Sequence, residues 1–211
     1  METEKLCIYD EQGTPKGIAD RQTVHEKGYW HETFHCWVAG RQGGRNVVYL
    51  QLRSDGKKDF PGLFDITAAG HLLADETVED GIREVQEELG IGVGFEELTP
   101  MGIIKDQIAL SGFIDNERCH CFLYKDLENI DLRFELQLEE VSGMAKADFE
   151  ALAALFTGTK EKVNVEGFEI TSDGRKKLFE RAIGLKDLVP HSTGYLEKIV
   201  ESIGRQLRGL A

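Results

Sequence analysis

The chain has 211 residues, 41% of them hydrophobic and 30% charged, enough to bury one sizeable core and too mixed for a fibrous, collagen-like or disordered protein. Its 38 acidic side chains against 25 basic ones give a formal net charge of −13, which repels a phosphate backbone, so no nucleic acid polymer is expected as a partner. No apolar run approaches the about eighteen residues that span a bilayer, and Met1–Leu6 carries no basic, apolar leader, so a cytoplasmic protein with no membrane partner is expected. Cys7, Cys36, Cys119 and Cys121 are too few for a disulfide framework in a chain of this length, and reduced thiols are the expectation.

In chain order, Glu4–Tyr9 reads as a strand closed by the turn Asp10-Glu11-Gln12-Gly13. Thr33–Ala39 and Asn46–Arg53 read as a hairpin joined through Gly40–Gly44, its second strand half-burying Val48, Leu50 and Leu52. A polar loop over Ser54–Gly62 leads to a brief strand, Phe64–Thr67, that runs into Ala68-Ala69-Gly70-His71. The apolar series Val78, Ile82, Val85, Leu89, with Thr77 and Asp80 as a capping box and Gly90 as a left-handed terminator, predicts a helix. Met101–Ile104 and Arg118–Tyr124 read as further strands. After Glu139 the pattern turns helical, over Ala145–Phe156, Asp173–Ile183 and Tyr195–Leu207. With no repeat and no low-complexity linker, 1–211 reads as a single domain: a core over 1–144 and a helical elaboration over 145–211.

The helix around Val85 has two faces. Its apolar residues fall on one narrow arc, while Glu84, Glu87 and Glu88 cluster opposite, with Arg83 as the only base among them. A solvated acidic face is the bland reading of such a cluster. Like charges left without cationic partners at i+3 or i+4 also suit a divalent ion.

The stretch Arg83-Glu84-Val85-Gln86-Glu87-Glu88-Leu89-Gly90-Ile91 resembles the core of the Nudix box at every position. The box also asks for a glycine, five residues, a glutamate and then seven residues before the arginine. Gly70 and Glu76 meet the first interval, but only Thr77 to Ile82 separate Glu76 from Arg83, one residue short. The resemblance implies the Nudix α/β/α sandwich, an α/β fold with a mixed sheet, here with additional carboxy-terminal helices. It further implies a hydrolase that attacks a small diphosphate, such as a nucleoside diphosphate derivative, with water. Mg²⁺ or Mn²⁺ would be held by Glu84, Glu87 and Glu88, with Gly70 shaping the loop that offers a metal-facing carbonyl. Arg83 would orient the carboxylates by pairing with Glu87 and Glu79. Glu117 is the leading general base, with Glu87 as the alternative.

The flanks are similar to one branch of that superfamily, the isopentenyl-diphosphate isomerases and their hydrolase relatives, over roughly Glu4 to Met144. The segments that carry this include Trp30-His31-Glu32-Thr33-Phe34-His35, Phe60-Pro61-Gly62-Leu63-Phe64-Asp65, Ala68-Ala69-Gly70-His71 and Asp115-Asn116-Glu117. By that resemblance His31 and His71 stand at two histidine ligand positions, His25 lies one residue off register for a third, and Asp115 and Glu117 stand where the carboxylates belong. The isomerases also need a cysteine where this chain has Ala69. Alanine does no acid–base work, so hydrolysis is favoured, with isomerisation and a non-catalytic diphosphate-binding role as alternatives. Arg53, Lys58 and His71 are candidate substrate contacts, a solvated loop being the equal alternative for the two cations. Cys119-His120-Cys121 lacks a second pair to complete a thiolate site. Trp30 and Trp37 read as core or pocket wall, and a homodimer is compatible with the sequence without being specified by it.

Overall fold

A computed structural model of the protein describes residues 4–111, 113–126 and 134–208; residues 1–3 of the Met1–Leu6 segment and residues 209–211 of the carboxy-terminal elaboration lie outside them. β1 (Lys5–Tyr9) pairs with β2 (Pro15–Asp20) across the expected turn. The short helix α1 (Arg21–Lys27) follows, capped by the Asp20 carboxylate accepting from the Thr23 amide and closed by left-handed Gly28. β3 (Trp30–Gln42) and β4 (Arg45–Arg53) form the expected hairpin, longer than its hydrophobic run. Its two central residues, Gly43 and Gly44, have φ of 57° and 80°, the left-handed pair that a tight hairpin turn demands.

β5 (Phe64–Asp65) and β6 (Ala68–His71) lead into α2 (Arg83–Leu89). β7 (Leu98–Leu110) and β8 (Phe113–Asp126) make a long hairpin. β9 (Val141–Asp148), α3 (Phe149–Phe156), β10 (Val163–Ile170), β11 (Lys176–Ile183) and α4 (Thr193–Arg208) complete the chain. The strands form one hydrogen-bonded network ordered β11-β10-β9-β4-β3-β1-β2, with β5 on β4, β6 and β8 on β3, and β7 on β8. Among the described strands only the β3·β8 ladder is parallel, so the sheet is mixed. On one face α3 and α4 bury Leu152, Leu155, Tyr195 and Ile199 against Trp37 and Leu123. On the other, α2 buries Val85 and Leu89 against Phe34 and Phe122. This is an α/β/α sandwich, and no described helix is long and apolar enough to cross a membrane. All four cysteines are free.

Two expectations for the carboxy-terminal region are corrected. Asp173–Ile183 is not a helix: Thr171–Arg175 turns, and Lys176–Ile183 pairs residue by residue with β10. Its apolar residues fit a helical arc equally well, and cross-strand pairing decided between the two. Ala145–Asp148 is likewise strand, ladder-bonded to β4 and β10; Asp148 then caps α3 by accepting from the Ala151 amide at 3.0 Å. The acidic helix is shorter than its apolar series. Thr77 and Asp80 do bond reciprocally, but Asp80–Ile82 is a 3₁₀ turn and the α-helix begins only at Arg83. A 3₁₀ turn rises about 2.0 Å per residue against 1.5 Å for an α-helix, so the six residues of the shortened junction reach further.

Candidate active site

Glu84, Glu87 and Glu88 project from α2 towards β6. Glu88 is 4% exposed; its Oε2 accepts from Gln51 Nε2 at 3.2 Å and from the Ala69 amide at 3.1 Å. Burial, with the Glu84 charge beside it, pushes its carboxyl well above the usual range. Burial also raises Glu84 to about 7, Arg83 pulling it down and Glu87 pushing it up. Glu87 is the exposed member. Gly70 lies within β6, paired with Phe34, and not in a loop as expected. Its need for glycine is steric, because a Cβ there would overlap the Glu84 carboxylate.

Arg83 gathers these groups. Its Nε and Nη2 meet Glu76 Oε1 and Oε2 at 2.5 and 3.0 Å, and its Nη1 meets Glu84 at 2.6 Å and Glu87 at 3.2 Å. The pairing with Glu87 is as expected; the pairing expected with Glu79 is made with Glu76 instead, since the 3₁₀ turn replaces the helical turn that would have set Glu79 at i−4. Nη2 also donates to the His71 carbonyl at 3.1 Å, tying α2 to β6.

A second group faces the same cleft. His25 from α1, His31 from β3 and His71 from β6 bring ring nitrogens within 4.8 Å of one another, and a His31 nitrogen lies equally close to carboxylate oxygens of Asp115 and Glu117. His25 joins them although its sequence register is one residue off. The His31 Nδ1 lies 3.1 Å from the Tyr29 carbonyl, which can only accept, so the proton sits on Nδ1 and the Nε2 lone pair points inward. That lone pair faces Asp115 Oδ1 at 3.4 Å, and His25 Nε2 lies at the same distance. All three atoms are buried without a hydrogen-bond partner among the described residues. Two acceptors facing each other are what a cation would reconcile. Burial and the nearby His31, Arg21 and His25 hold His71 well below its ordinary value, in the neutral form that ligates. By contrast, the group His35, Glu117, Cys119 is internally satisfied, with the Cys119 thiol donating to Glu117 and both His35 nitrogens engaged.

The box carboxylates line one cleft of about 850 Å³ together with His71, Asp115 and Glu117, while His25 and His31 are buried against the His71 ring, at 5.4 and 5.2 Å between ring centres. Of the candidate substrate contacts, Arg53 is held by Asp65 at 2.8 Å and by the Asp59 carbonyl at 2.9 Å. Lys57 is held by Glu140. Lys58 stands exposed on the rim, and His71 lies deeper, beside the other histidines.

The cleft wall also holds residues that the sequence did not single out. His191, just before α4, bridges two buried carboxylates, Nδ1 to Asp106 at 2.7 Å and Nε2 to Asp65 at 2.9 Å. The Ser192 amide donates to Asp106 at 2.8 Å. Burial opposes charge on all three, but the mutual hydrogen bonds win: His191 rises to about 10, and Asp65 and Asp106 fall below the usual carboxylate range. The one local cue is Ser192 as a helix-start residue; nothing near His191 names its partners, which lie 85 and 126 positions away.

The model of the NUDIX domain matches residues 30–165. An uncharacterized Nudix hydrolase of Clostridium acetobutylicum is 38% identical over 203 residues, covering 96% of this chain and 98% of that protein. An isopentenyl-diphosphate Delta-isomerase of Saccharopolyspora erythraea is 30% identical over 162 residues, covering 75% of this chain and 79% of its own. Among solved structures, a Deinococcus radiodurans protein superposes with a TM-score of 0.53 at 18% identity, over 74% of this chain and 91% of that one. A MutT/nudix family protein from Enterococcus faecalis gives a TM-score of 0.51 at 12% identity, over 84% and 62%.

Proposed function

The chain belongs to the Nudix family of diphosphate hydrolases, and from that premise we propose that it cleaves the diphosphate linkage of a small molecule, such as a nucleoside diphosphate derivative, with Mg²⁺ or Mn²⁺. The observation that carries the metal requirement is the pair of facing acceptors, His31 Nε2 and Asp115 Oδ1, buried without a donor among the described residues, with Asp115 lining the same cleft as the crowded Glu84 and Glu88. Glu84, Glu87 and Glu88 would hold one cation, and His25, His31, His71 and Asp115 a second. Cations bound there would neutralise the diphosphate and lower the pKa of the attacking water.

The chain's own side chains then divide the work. Arg83 fixes the box carboxylates through its ties to Glu76, Glu84 and Glu87. Gly70 admits Glu84 to the cleft floor. Glu117, arriving from β8 and apart from the box, takes a proton from the attacking water; Glu87, spent on Arg83 and exposed, is the weaker candidate. Lys58 on the rim draws the anionic substrate in. The cytoplasm, where free thiols persist, is the proposed location.

The isomerase reading draws on the histidine group and on the isomerase relative. Against it stands Ala69, whose methyl lines the cleft where a proton-transferring thiol would be needed. A box one residue short would favour a non-catalytic binding protein, but Glu76 reaches Arg83 despite the shortfall. The deciding experiment assays nucleotide sugars, dinucleotides, nucleoside diphosphates and prenyl diphosphates for phosphate or monophosphate release with Mg²⁺ and Mn²⁺. Release from at least one class, abolished by chelator, is expected. Thermal stabilisation by these compounds without product under either metal would establish the binding protein instead.

A further inference from the structure

The parallel β3·β8 register sets Thr33 beside Cys119, His35 beside Cys121 and Trp37 beside Leu123, all on the face that α4 covers. Into this face α4 inserts Tyr195, fully buried. Trp37 Nε1 lies 3.2 Å from the Tyr195 hydroxyl, and that hydroxyl lies 2.8 Å from His35 Nδ1. On its other side the His35 ring presents Nε2 to Thr33 Oγ1 at 3.1 Å and to Glu117 Oε2 at 3.4 Å. The Cys119 thiol donates to the same Glu117 oxygen at 3.5 Å.

The donor and acceptor inventory gives this chain of contacts a direction. An indole can only donate, so the Tyr195 oxygen accepts from Trp37; a carboxylate can only accept, so the Glu117 oxygen facing Nε2 sets the His35 proton there and leaves Nδ1 to accept from the Tyr195 hydroxyl. A His35 that accepts at Nδ1 carries its proton on Nε2, and that N–H faces Glu117 and Thr33. The distance to Glu117 is at the long end of hydrogen bonding, as is usual before a substrate closes a site.

We propose that Tyr195 acts through His35 as a positioning residue for Glu117, so that α4, which lies beyond the matched residues 30–165, belongs to the catalytic apparatus. The proposal rests on the reading of Glu117 given above. Packing alone would be served by phenylalanine. What the hydroxyl adds is a fixed imidazole tautomer, and with it one orientation of the carboxylate that the attacking water must meet. Outer partners of this kind commonly matter as much as the residues they hold.

Two measurements on the full chain test it. Nitrogen-15 NMR of the histidine rings should find His35 of the wild type protonated on Nε2, and Tyr195→Phe should populate the other tautomer. In assays on ADP-ribose, UDP-glucose and dimethylallyl diphosphate with Mg²⁺ or Mn²⁺, Tyr195→Phe should lower kcat by about 10- to 100-fold with KM changed by less than about twofold, and His35→Leu should do the same. A purely structural tyrosine would lower Tm and leave the kcat of the folded fraction intact; that result, alongside a Glu117→Gln variant without turnover, overturns the relay alone. Full turnover in Glu117→Gln overturns the reading of Glu117 and the relay with it. An Nδ1–H tautomer of His35 in the wild type overturns the relay whatever the activities, including where Tyr195→Phe does not fold.

Discussion

Glu76 and Arg83 meet as a two-point ion pair, at 2.5 and 3.0 Å, across an interval one residue shorter than the Nudix box prescribes. The fork of the guanidinium allows this while Nη1 still reaches Glu84 and Glu87. Arg83→Lys keeps the charge and loses the fork. We expect the variant to fold and its hydrolysis to fall by about 10- to 100-fold, read as kcat with Mg²⁺; turnover equal to wild type would show that the arginine contributes charge only.

Gly70→Ala should be as damaging from the other side. The added methyl occupies the Glu84 carboxylate position, and since that carboxylate ends a flexible side chain, it is the carboxylate that moves. Weaker Mn²⁺ binding with little loss of Tm is expected. An unchanged Mn²⁺ affinity would remove Glu84 from the ligand set.

Glu87→Gln and Glu88→Gln should both abolish hydrolysis, with opposite marks on the metal-free protein. Glu88 is buried against Glu84 with its carboxyl forced upward. An amide oxygen still accepts from Ala69 and Gln51 and carries no charge, so Tm without metal should rise by about 2–4 °C, roughly 1 kcal/mol. Glu87 is exposed and paired with Arg83, so its loss should leave Tm nearly unchanged. Thermal melts with chelator, beside the activity assay, check both.

The His191 bridge makes stability fall with rising pH. Its folded value lies near 10 against 6.5 ordinarily, so the folded protein holds a proton that the unfolded chain has released. The contribution is complete below about pH 6.5 and is lost as pH rises through about 10. Removing the imidazolium by His191→Gln leaves Asp65 with Arg53 as its remaining cation and Asp106 buried without the charge it faces, at a cost of about 3–5 kcal/mol near neutral pH. Urea unfolding across this range should show the wild type losing stability and the variant losing far less. A wild type with constant stability from neutral pH to pH 10 would refute the charge assignment.

Ala69→Cys separates the two chemistries. In deuterated buffer the wild type should leave isopentenyl and dimethylallyl diphosphate unlabelled by proton NMR, and the added thiol should give little gain, because the proposed nucleophile is water. Labelling by the wild type, with no phosphate released from any diphosphate, would reverse the assignment.

What was legible in the sequence was what spacing alone encodes. Val85 and Leu89 pack as their period required, Gly90 ends the helix left-handed at φ 70°, and the glycines between β3 and β4 turn the hairpin. The histidine group was readable only through family resemblance, since His25, His31 and His71 converge from a helix and two strands. Asp173–Ile183 misled because the paired apolar positions Leu178-Phe179 and Ala182-Ile183 satisfy a helix and a strand alike. The Asp65–His191–Asp106 bridge and the Tyr195–His35 contact could not be read, because no periodicity links residues so distant in the chain.

The same bridge has a consequence for the order in which the molecule is made. Asp65 and Asp106 leave the ribosome well before His191, and the imidazolium that neutralises them arrives only with the last turn before α4. Until then Asp65 has Arg53 to pair with, but closing the sheet would bury Asp106 without the charge it faces. The cleft wall therefore sets last, after synthesis is nearly complete, and a chain cut short before His191 should emerge with Asp106 of β7 unable to take its buried place.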